Sequence, residues 1–186
     1  MKHKGTKRID TENLIMRKFE LTDAEAMYRN WANDLEVTKF LTWEPHNSSE
    51  VSKNSLKSWI DQYKNENFYQ WAIVLKSNGT EPIGSISIVR QNEEIGMIHV
   101  GYCIGKKWWK KGVTSEALNA LIKYFINEVE ANRIESRHDP LNPGSGKVMM
   151  KCGMKYEGTM RKADINNQGI CDYSMYGLLA EDYITE

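Results

Sequence analysis

Lys110-Lys111-Gly112-Val113-Thr114-Ser115 lies between an apolar strand-like run and a long helical pattern, and its residue types suit holding a phosphate. A helix N-terminus presents backbone N–H groups without partners at the positive end of the helix dipole. Gly112 lets the backbone approach an anion closely. Lys106, Lys107, Lys110 and Lys111 add positive charge. On the residues alone the run reads equally as a pyrophosphate cradle or as a solvated basic loop before an ordinary helix. A nucleotide-hydrolysing P-loop needs G-x-x-x-x-G-K-[ST], and no Gly-Lys-Ser/Thr follows Gly105 at that spacing. Cys103, Cys152 and Cys171 form no CxxC pair and no Cys/His ligand spacing, so neither a metal site nor a disulfide framework is expected. Cys103 and Cys171 fall in strand-like runs without a charged partner and read as packing residues, not nucleophiles.

The elements that must position this loop alternate between strand and helix, which implies a layered α/β domain. Residues 14–17 read as a first strand. Thr22 to Glu25 has capping-box spacing, with Met27 and Trp31 continuing a short helix. A second helix starts near Ser49 and carries Leu56, Trp59, Ile60 and Tyr63 on one stripe. Strands follow at 70–75, from Pro82 through Ile88, and at 95–104, with short links that suit an antiparallel meander. A helix from Ser115 shows Leu118, Leu121, Ile122 and Phe125 at helical spacing. Residues 133–137 form a strand. Asn142 and Pro143 suit an N-cap and a first helical position, Val148 and Cys152 point inward, and Gly153 suits the end. Residues 154–179 read as two strands around a turn at 166–169.

Composition narrows the classes. The 186 residues suit one domain, 1–186, with a sizeable core. Twenty-five Lys and Arg balance 25 Asp and Glu, which argues against nucleic-acid binding through phosphate neutralisation. No apolar run approaches the ~20 residues of a membrane span. Residues 1–8 are basic but lead into no apolar segment, so they read as a short loose tail, not a signal peptide. Reduced thiols and this balance suit the cytoplasm.

Tyr102-Cys103-Ile104 followed by Trp109-Lys110-Lys111-Gly112-Val113-Thr114-Ser115-Glu116-Ala117-Leu118 resembles the acetyl-CoA motif of the GNAT N-acetyltransferase superfamily. The Rim-type branch, which acetylates ribosomal-protein N-termini, is the most similar; its loop usually reads W-G-K-G-Y-A-T-E-A. Lys110 here replaces the first glycine and Thr114 the alanine, while Gly112 and Glu-Ala are kept. Asp139-Pro140-Leu141-Asn142, Ser145, Lys151-Cys152-Gly153 and Glu157-Gly158 are similar to the family's N-x-x-S-x(7)-G-[FM] and E-G blocks. Leu41-Thr42-Trp43-Glu44-Pro45-His46 resembles the branch's W-x-P-H segment, and 172–183 its last strand. The resemblance covers nearly the whole chain in order. It implies the GNAT fold, a mixed and mostly antiparallel sheet flanked by helices, and it lifts the cradle reading well above the plain loop.

The same resemblance implies roles. Acetyl-CoA would be the cosubstrate, held by Tyr102, Cys103, Ile104, Trp109, the run 110–115 and Asn142. The strand 100–104 would splay from 134–138 to admit the pantetheine arm, and a backbone N–H near Cys103 would polarise the thioester carbonyl. Most of the superfamily protonates the leaving thiolate from a Tyr at the position of Met149, which has no such proton; the Rim-type branch uses the serine at Ser145. His99 stands where the family often has Glu, and an imidazole suits proton removal. By residue type it could equally be a surface strand histidine. His46 is a second candidate base, Glu44 could bind the amine, and Trp43 could wall its pocket. His138 reads as structural, Trp59 as core, and Trp109 as packing under the phosphate loop. The expected reaction is direct acetyl transfer to a primary amine, foremost a protein N-terminal α-amine. The alternatives are a small amine such as a polyamine or aminoglycoside, marked by an acidic pocket near Glu44, Asp61 and Glu66, or an acetyl-CoA-binding module with little turnover. A homodimer is a family-level expectation.

Overall fold

Gln-Trp-Ala-Ile-Val-Leu at 70–75 has no polar face, and the strand it forms is buried on both sides at the middle of an antiparallel meander. The computed structural model describes residues 1–183. Eight strands form one sheet: β1 (Ile9–Asp10), β2 (Leu14–Arg17), β3 (Gln70–Leu75), β4 (Pro82–Asn92), β5 (Met97–Ile104), β6 (Arg133–His138), β7 (Lys155–Asn166) and β8 (Gly169–Leu179). Their order across the sheet is β1-β2-β3-β4-β5-β6-β8-β7. Every neighbouring pair is antiparallel except β5 and β6.

Because side chains alternate between faces, β3 sends Trp71 and Ile73 into one core and Ala72 into another. The larger core is covered by α4 (Val113–Asn127) and α5 (Pro143–Lys151), with Leu118, Leu121, Phe125 and Met149 fully buried. Truncating one such leucine to Ala costs about 2–5 kcal/mol. The smaller core is covered by α1 (Ala24–Met27) and α3 (Ser49–Gln62), with Phe19, Met27, Trp31 and Leu56 at its centre. Between them the chain makes a π turn at Tyr28–Ala32, which drives Trp31 inward, and the single-turn α2 (Leu35–Thr38).

Several expectations shift. Residues 1–8 are not a loose tail. Thr6 Oγ1 donates to the Phe68 carbonyl (3.1 Å) and accepts from the Gln70 N–H (3.0 Å), and Trp71 Nε1 donates to the Lys7 carbonyl (2.6 Å). The tail satisfies buried donors and acceptors at the start of β3, which composition does not reveal. Thr22 is not a helix cap: the turn begins after Glu20, whose N–H is accepted by Asp23 (2.8 Å), and Arg17 holds both oxygens of that carboxylate (2.7 and 2.8 Å). The long helix begins at Val113, not Ser115, with Gly112 as its N-cap. Strand β1 and helix α2 are too short to leave a periodic trace.

The feature that matters for function is a parting of strands. β5 and β6 pair at Met97↔Arg133, Ile98↔Ile134 and His99↔Glu135, and no further. Beyond that point Ser136 Oγ donates to the Val100 carbonyl (2.8 Å), a side chain standing in for a ladder bond. The edge of β5 from Val100 to Ile104 is left open toward β6. No helix among the described residues is long and apolar enough to cross a membrane.

Candidate active site

Two helix N-termini open on the parted strands. At α4, Gly112 accepts the N–H of Glu116 (3.0 Å), and the N–H groups of Val113, Thr114 and Ser115 are the orphans of the first turn. Gly112 has φ +80°, and a Cβ there would meet nothing within 4 Å. Glycine is needed for its backbone shape, and the face it leaves is open. Lys110, where the related motif has glycine, also sits at positive φ, +60°. A left-handed lysine costs roughly 1–2 kcal/mol, so the backbone path is kept although the residue type is not. An open loop of positive φ residues feeding orphan N–H groups fits the pyrophosphate of a coenzyme A thioester.

The lysines divide. Lys106 Nζ binds the Glu36 carboxylate (2.6 Å) and Lys107 lies over the Trp108 ring, whereas Lys110 and Lys111 have no acidic partner among the described residues. Trp108, not Trp109, is the buried aromatic; Trp109 is partly exposed and its Nε1 donates to the Ile104 carbonyl (2.8 Å). That correction reflects the turn at Lys106–Trp108, which rotates residue 108 inward. Glu116 faces away from the cradle. Burial would raise its carboxyl, but Thr11 and Asn13 donate to it and hold it below the usual carboxylate range.

At α5, Asn142 precedes Pro143 but makes no side-chain capping bond, which leaves its amide free for the cleft. Ser145 Oγ donates to the Tyr102 hydroxyl (3.0 Å), which donates to the Ser145 carbonyl (2.9 Å). Asn142, Ser145 and Tyr102 line one small cavity beside the strand opening. Burial pushes the Tyr102 phenol well above its usual range, so it stays protonated. Met149 is fully buried in the core and faces no cleft. His138 donates from Nδ1 to the Asp139 carbonyl (2.8 Å) and presses its ring on Gly146, where a Cβ would lie 2.6 Å from Nε2. Gly146 is thus required for close approach, a need no motif announced.

A larger cavity of ≈ 470 Å³, which adjoins the small one and shares Tyr102, His138 and Asp139 with it, runs across β4, β5, β6 and the β7–β8 turn. His99 faces it and is only 5 % exposed, so it is not a surface histidine. Its Nδ1 lies 3.0 Å from Glu135 Oε1, and the same carboxylate accepts from Arg90 (2.7 Å) and Arg133 (3.1 Å). The His99 bond, then Arg90 and Arg133 against the opposing push of burial, bring the Glu135 carboxyl down to about 2. The roof is the segment 40–43. Asn167 in the β7–β8 turn holds it, donating from its backbone to the Leu41 carbonyl (3.0 Å) and from its side chain to the carbonyls of Thr38 (2.9 Å) and Trp43 (2.8 Å).

Of the expected acceptor residues, Trp43 lines the cavity. His46 packs against it at 5.3 Å, with Nδ1 2.8 Å from Ser52 Oγ, and burial lowers its pKa. Glu44 is exposed and outside the lining, as are Asp61 and Glu66, so these three make no acidic pocket. The carboxylates that do line it are engaged. Asp139 accepts from the Leu141 N–H and the Asn166 amide (2.8 Å each), and Asp164 pairs with Arg137 (2.9 Å). Trp59 and Trp71 belong to the cores. Burial raises the thiols of Cys103 and Cys171, and brings Cys152 to about 12, so all three are protonated at neutral pH and poor nucleophiles.

Residues 13–155 match the acetyltransferase (GNAT) domain family. The chain is 30 % identical over 173 residues to the uncharacterized N-acetyltransferase p20 of Bacillus licheniformis, covering 93 % of this chain and 96 % of that one. It is 27 % identical over 158 residues to the [ribosomal protein uS5]-alanine N-acetyltransferase of Escherichia coli K12, covering 81 % and 79 %. The solved GNAT-family acetyltransferase of Bacillus anthracis superposes with a TM-score of 0.81 at 28 % identity, covering 94 % of this chain and 99 % of that one.

Proposed function

The chain belongs to the GNAT acetyltransferase family and is an acetyl-CoA-dependent N-acetyltransferase; from that premise we propose that its acceptor is the α-amine of a protein N-terminus. The observation that carries this reading is the charge of the acceptor cavity. A polycationic small amine calls for unpaired carboxylates, and both acids lining this cavity are tied to donors of the chain itself. A peptide N-terminus brings one amine and a string of backbone groups, which suits a wall carrying the hydroxyls of Ser85 and Ser87. The similarity to an enzyme named for uS5 alanine supports the same class.

Acetyl-CoA supplies a thioester-activated acetyl group. The chain's residues supply position and proton handling. Gly112 to Ser115 offer backbone N–H groups to the pyrophosphate, with Lys110 and Lys111 adding charge, and Tyr102 to Ile104 offer a free strand edge to the arm. The proposed donor to the thioester oxygen is a backbone N–H near Cys103, that of Tyr102 or Ile104, whose peptide groups face the gap toward β6. Asn142 contacts the arm, and Ser145 protonates the departing thiolate, which requires its hydroxyl to turn from Tyr102. His99 accepts the amine's proton in the larger cavity. Trp43 walls the amine's pocket with His46 behind it. Glu44, exposed at the rim, would meet the peptide only beyond its first residue.

A second reading, a small-molecule amine, draws on the size of the cavity, which lies in the range of small-ligand pockets. We read residues 1–186 as one domain acting in the cytoplasm. Mass spectrometry of peptides with free N-termini after incubation with acetyl-CoA separates the two readings. Acetyl on the first residue's α-nitrogen is expected. Acetyl confined to lysine side chains, or to polyamines and aminoglycosides in competition, would overturn the peptide reading.

A further inference from the structure

From the geometry where β5 and β6 part, we infer that Glu135 is a positioning residue that fixes His99 in one tautomer, with the free electron pair of Nε2 presented to the acceptor cavity. The inference rests on the acetyltransferase reading and names a residue that no motif brought forward.

His99 and Glu135 are the last register pair of the parallel ladder, so the two side chains leave the sheet side by side on the cavity face. Both are nearly buried, 5 % and 6 % exposed, and Nδ1 lies 3.0 Å from Oε1. A carboxylate can only accept a hydrogen bond. The shared hydrogen therefore sits on Nδ1, and Nε2 carries the lone pair. That nitrogen has no hydrogen-bond partner among the described residues, while the ring lines the cavity.

Two arginines guard the arrangement. Arg90 of β4 donates to the oxygen that His99 uses (2.7 Å), and Arg133 of β6 donates to the other (3.1 Å). Arg133 is itself fixed by Glu157 of β7 (2.8 Å). The carboxylate is held on three sides and cannot swing away from the ring. Paired charges keep Glu135 ionised, so it does not compete for the proton that His99 takes.

In the step so described, an N–H bond of the acceptor ammonium breaks and an Nε2–H bond forms. The positive charge moves from the amine to the imidazole, where the Nδ1–H···Glu135 bond strengthens. Water later removes the proton from Nε2. The neutral amine keeps its electron pair for the acetyl carbon. Glu135 touches neither amine nor thioester and acts only through His99.

The test has two arms. The first needs no acceptor: two-dimensional ¹H–¹⁵N spectra of the histidine rings, with His99 assigned from His99→Gln. Neutral His99 should show the Nδ1–H form in the native chain and exchange between tautomers in Glu135→Gln. An Nε2–H form in the native chain would overturn the inference. The second arm uses whichever amine supports CoA release. Glu135→Gln and His99→Gln should each lower kcat by about 10- to 100-fold with the acceptor KM nearly unchanged. The double variant should be no worse than the poorer single one, as residues acting as a unit are not additive. Glu135→Asp should recover part of the loss. Additive losses, or a loss in Glu135→Gln that tracks a lower Tm and is absent at reduced temperature, would assign Glu135 to stability alone. If no amine is acetylated, the functional reading fails while the ring spectra still decide the tautomer.

Discussion

The two sides of the parted strands are built in different ways. The proposed cofactor side is made of backbone: one continuous stretch from Tyr102 to Ser115 supplies a free strand edge, a left-handed turn at Lys110 and Gly112, and the orphan N–H groups of α4. The proposed acceptor side is made of side chains drawn from β4, β5, β6, the β7–β8 turn and the 40–43 segment, many fixed by partners far along the chain. Backbone recognition would tolerate a change of side chain so long as φ is kept, and Lys110 keeps it at +60°. Side-chain recognition would not, because many of its groups are shared with others.

The sharpest way to break that contrast is at Ser145, a side chain we assign to the cofactor side. Ser145→Ala should lower kcat about 100-fold and leave acetyl-CoA affinity unchanged, checked by CoA release and by calorimetry; an unchanged kcat would remove Ser145 from proton transfer. Next in size, Gly112→Val puts a branched residue at φ +80° and should weaken acetyl-CoA binding about 10-fold or more. Lys110→Gly, which relaxes the turn, should leave that affinity within about 3-fold. On the acceptor side, Asn167→Ala removes the side-chain bonds to Thr38 and Trp43. It should raise the acceptor KM about 5-fold with acetyl-CoA affinity untouched, each bond contributing about 1 kcal/mol.

A pH effect sharpens the comparison further. The Glu135 carboxyl is at about 2 in the folded chain against an ordinary 4.5. Its contribution to stability is complete above about pH 4.5 and is lost as pH falls from there toward 2. The Tm advantage of the native chain over Glu135→Gln should therefore shrink across that window, read by thermal melts at stepped pH. A constant difference would mean that the carboxylate's charge contributes nothing. The smallest effect is expected at Lys106, exposed and paired with Glu36: Lys106→Gln should change acetyl-CoA affinity less than about 2-fold.

The same contrast explains what could be read from residue order. The proposed cradle could be picked out because its elements are local: a glycine, two lysines and a helix start within six residues. The place of Ser145 and Asn142 at the start of α5 was legible by resemblance, their proposed roles resting on it, and the sheet by the strand-like runs and short links from 70 to 104. Glu135 was not, since its meaning depends on a ladder that ends at His99↔Glu135, a register no local pattern encodes. Asn167 read only as a turn residue, because the three chain atoms it holds lie more than 120 positions away. The acidic pocket near Glu44, Asp61 and Glu66 that would have marked the small-amine alternative does not form, for a related reason. Like charge near in sequence does not converge in space, and the acids at the cavity are Asp139, just past the end of β6, and Asp164 of β7. The choice between Trp108 and Trp109 turned on one short helical turn, below the resolution of any periodicity.

The most direct measurement is CoA-thiol release from acetyl-CoA across a panel of free N-terminal peptides, polyamines and aminoglycosides. Release with the peptides, saturable in peptide and abolished by blocking their α-amines, is the expected result. Release with polyamines or aminoglycosides alone, or none with any amine while acetyl-CoA still binds, would contradict it.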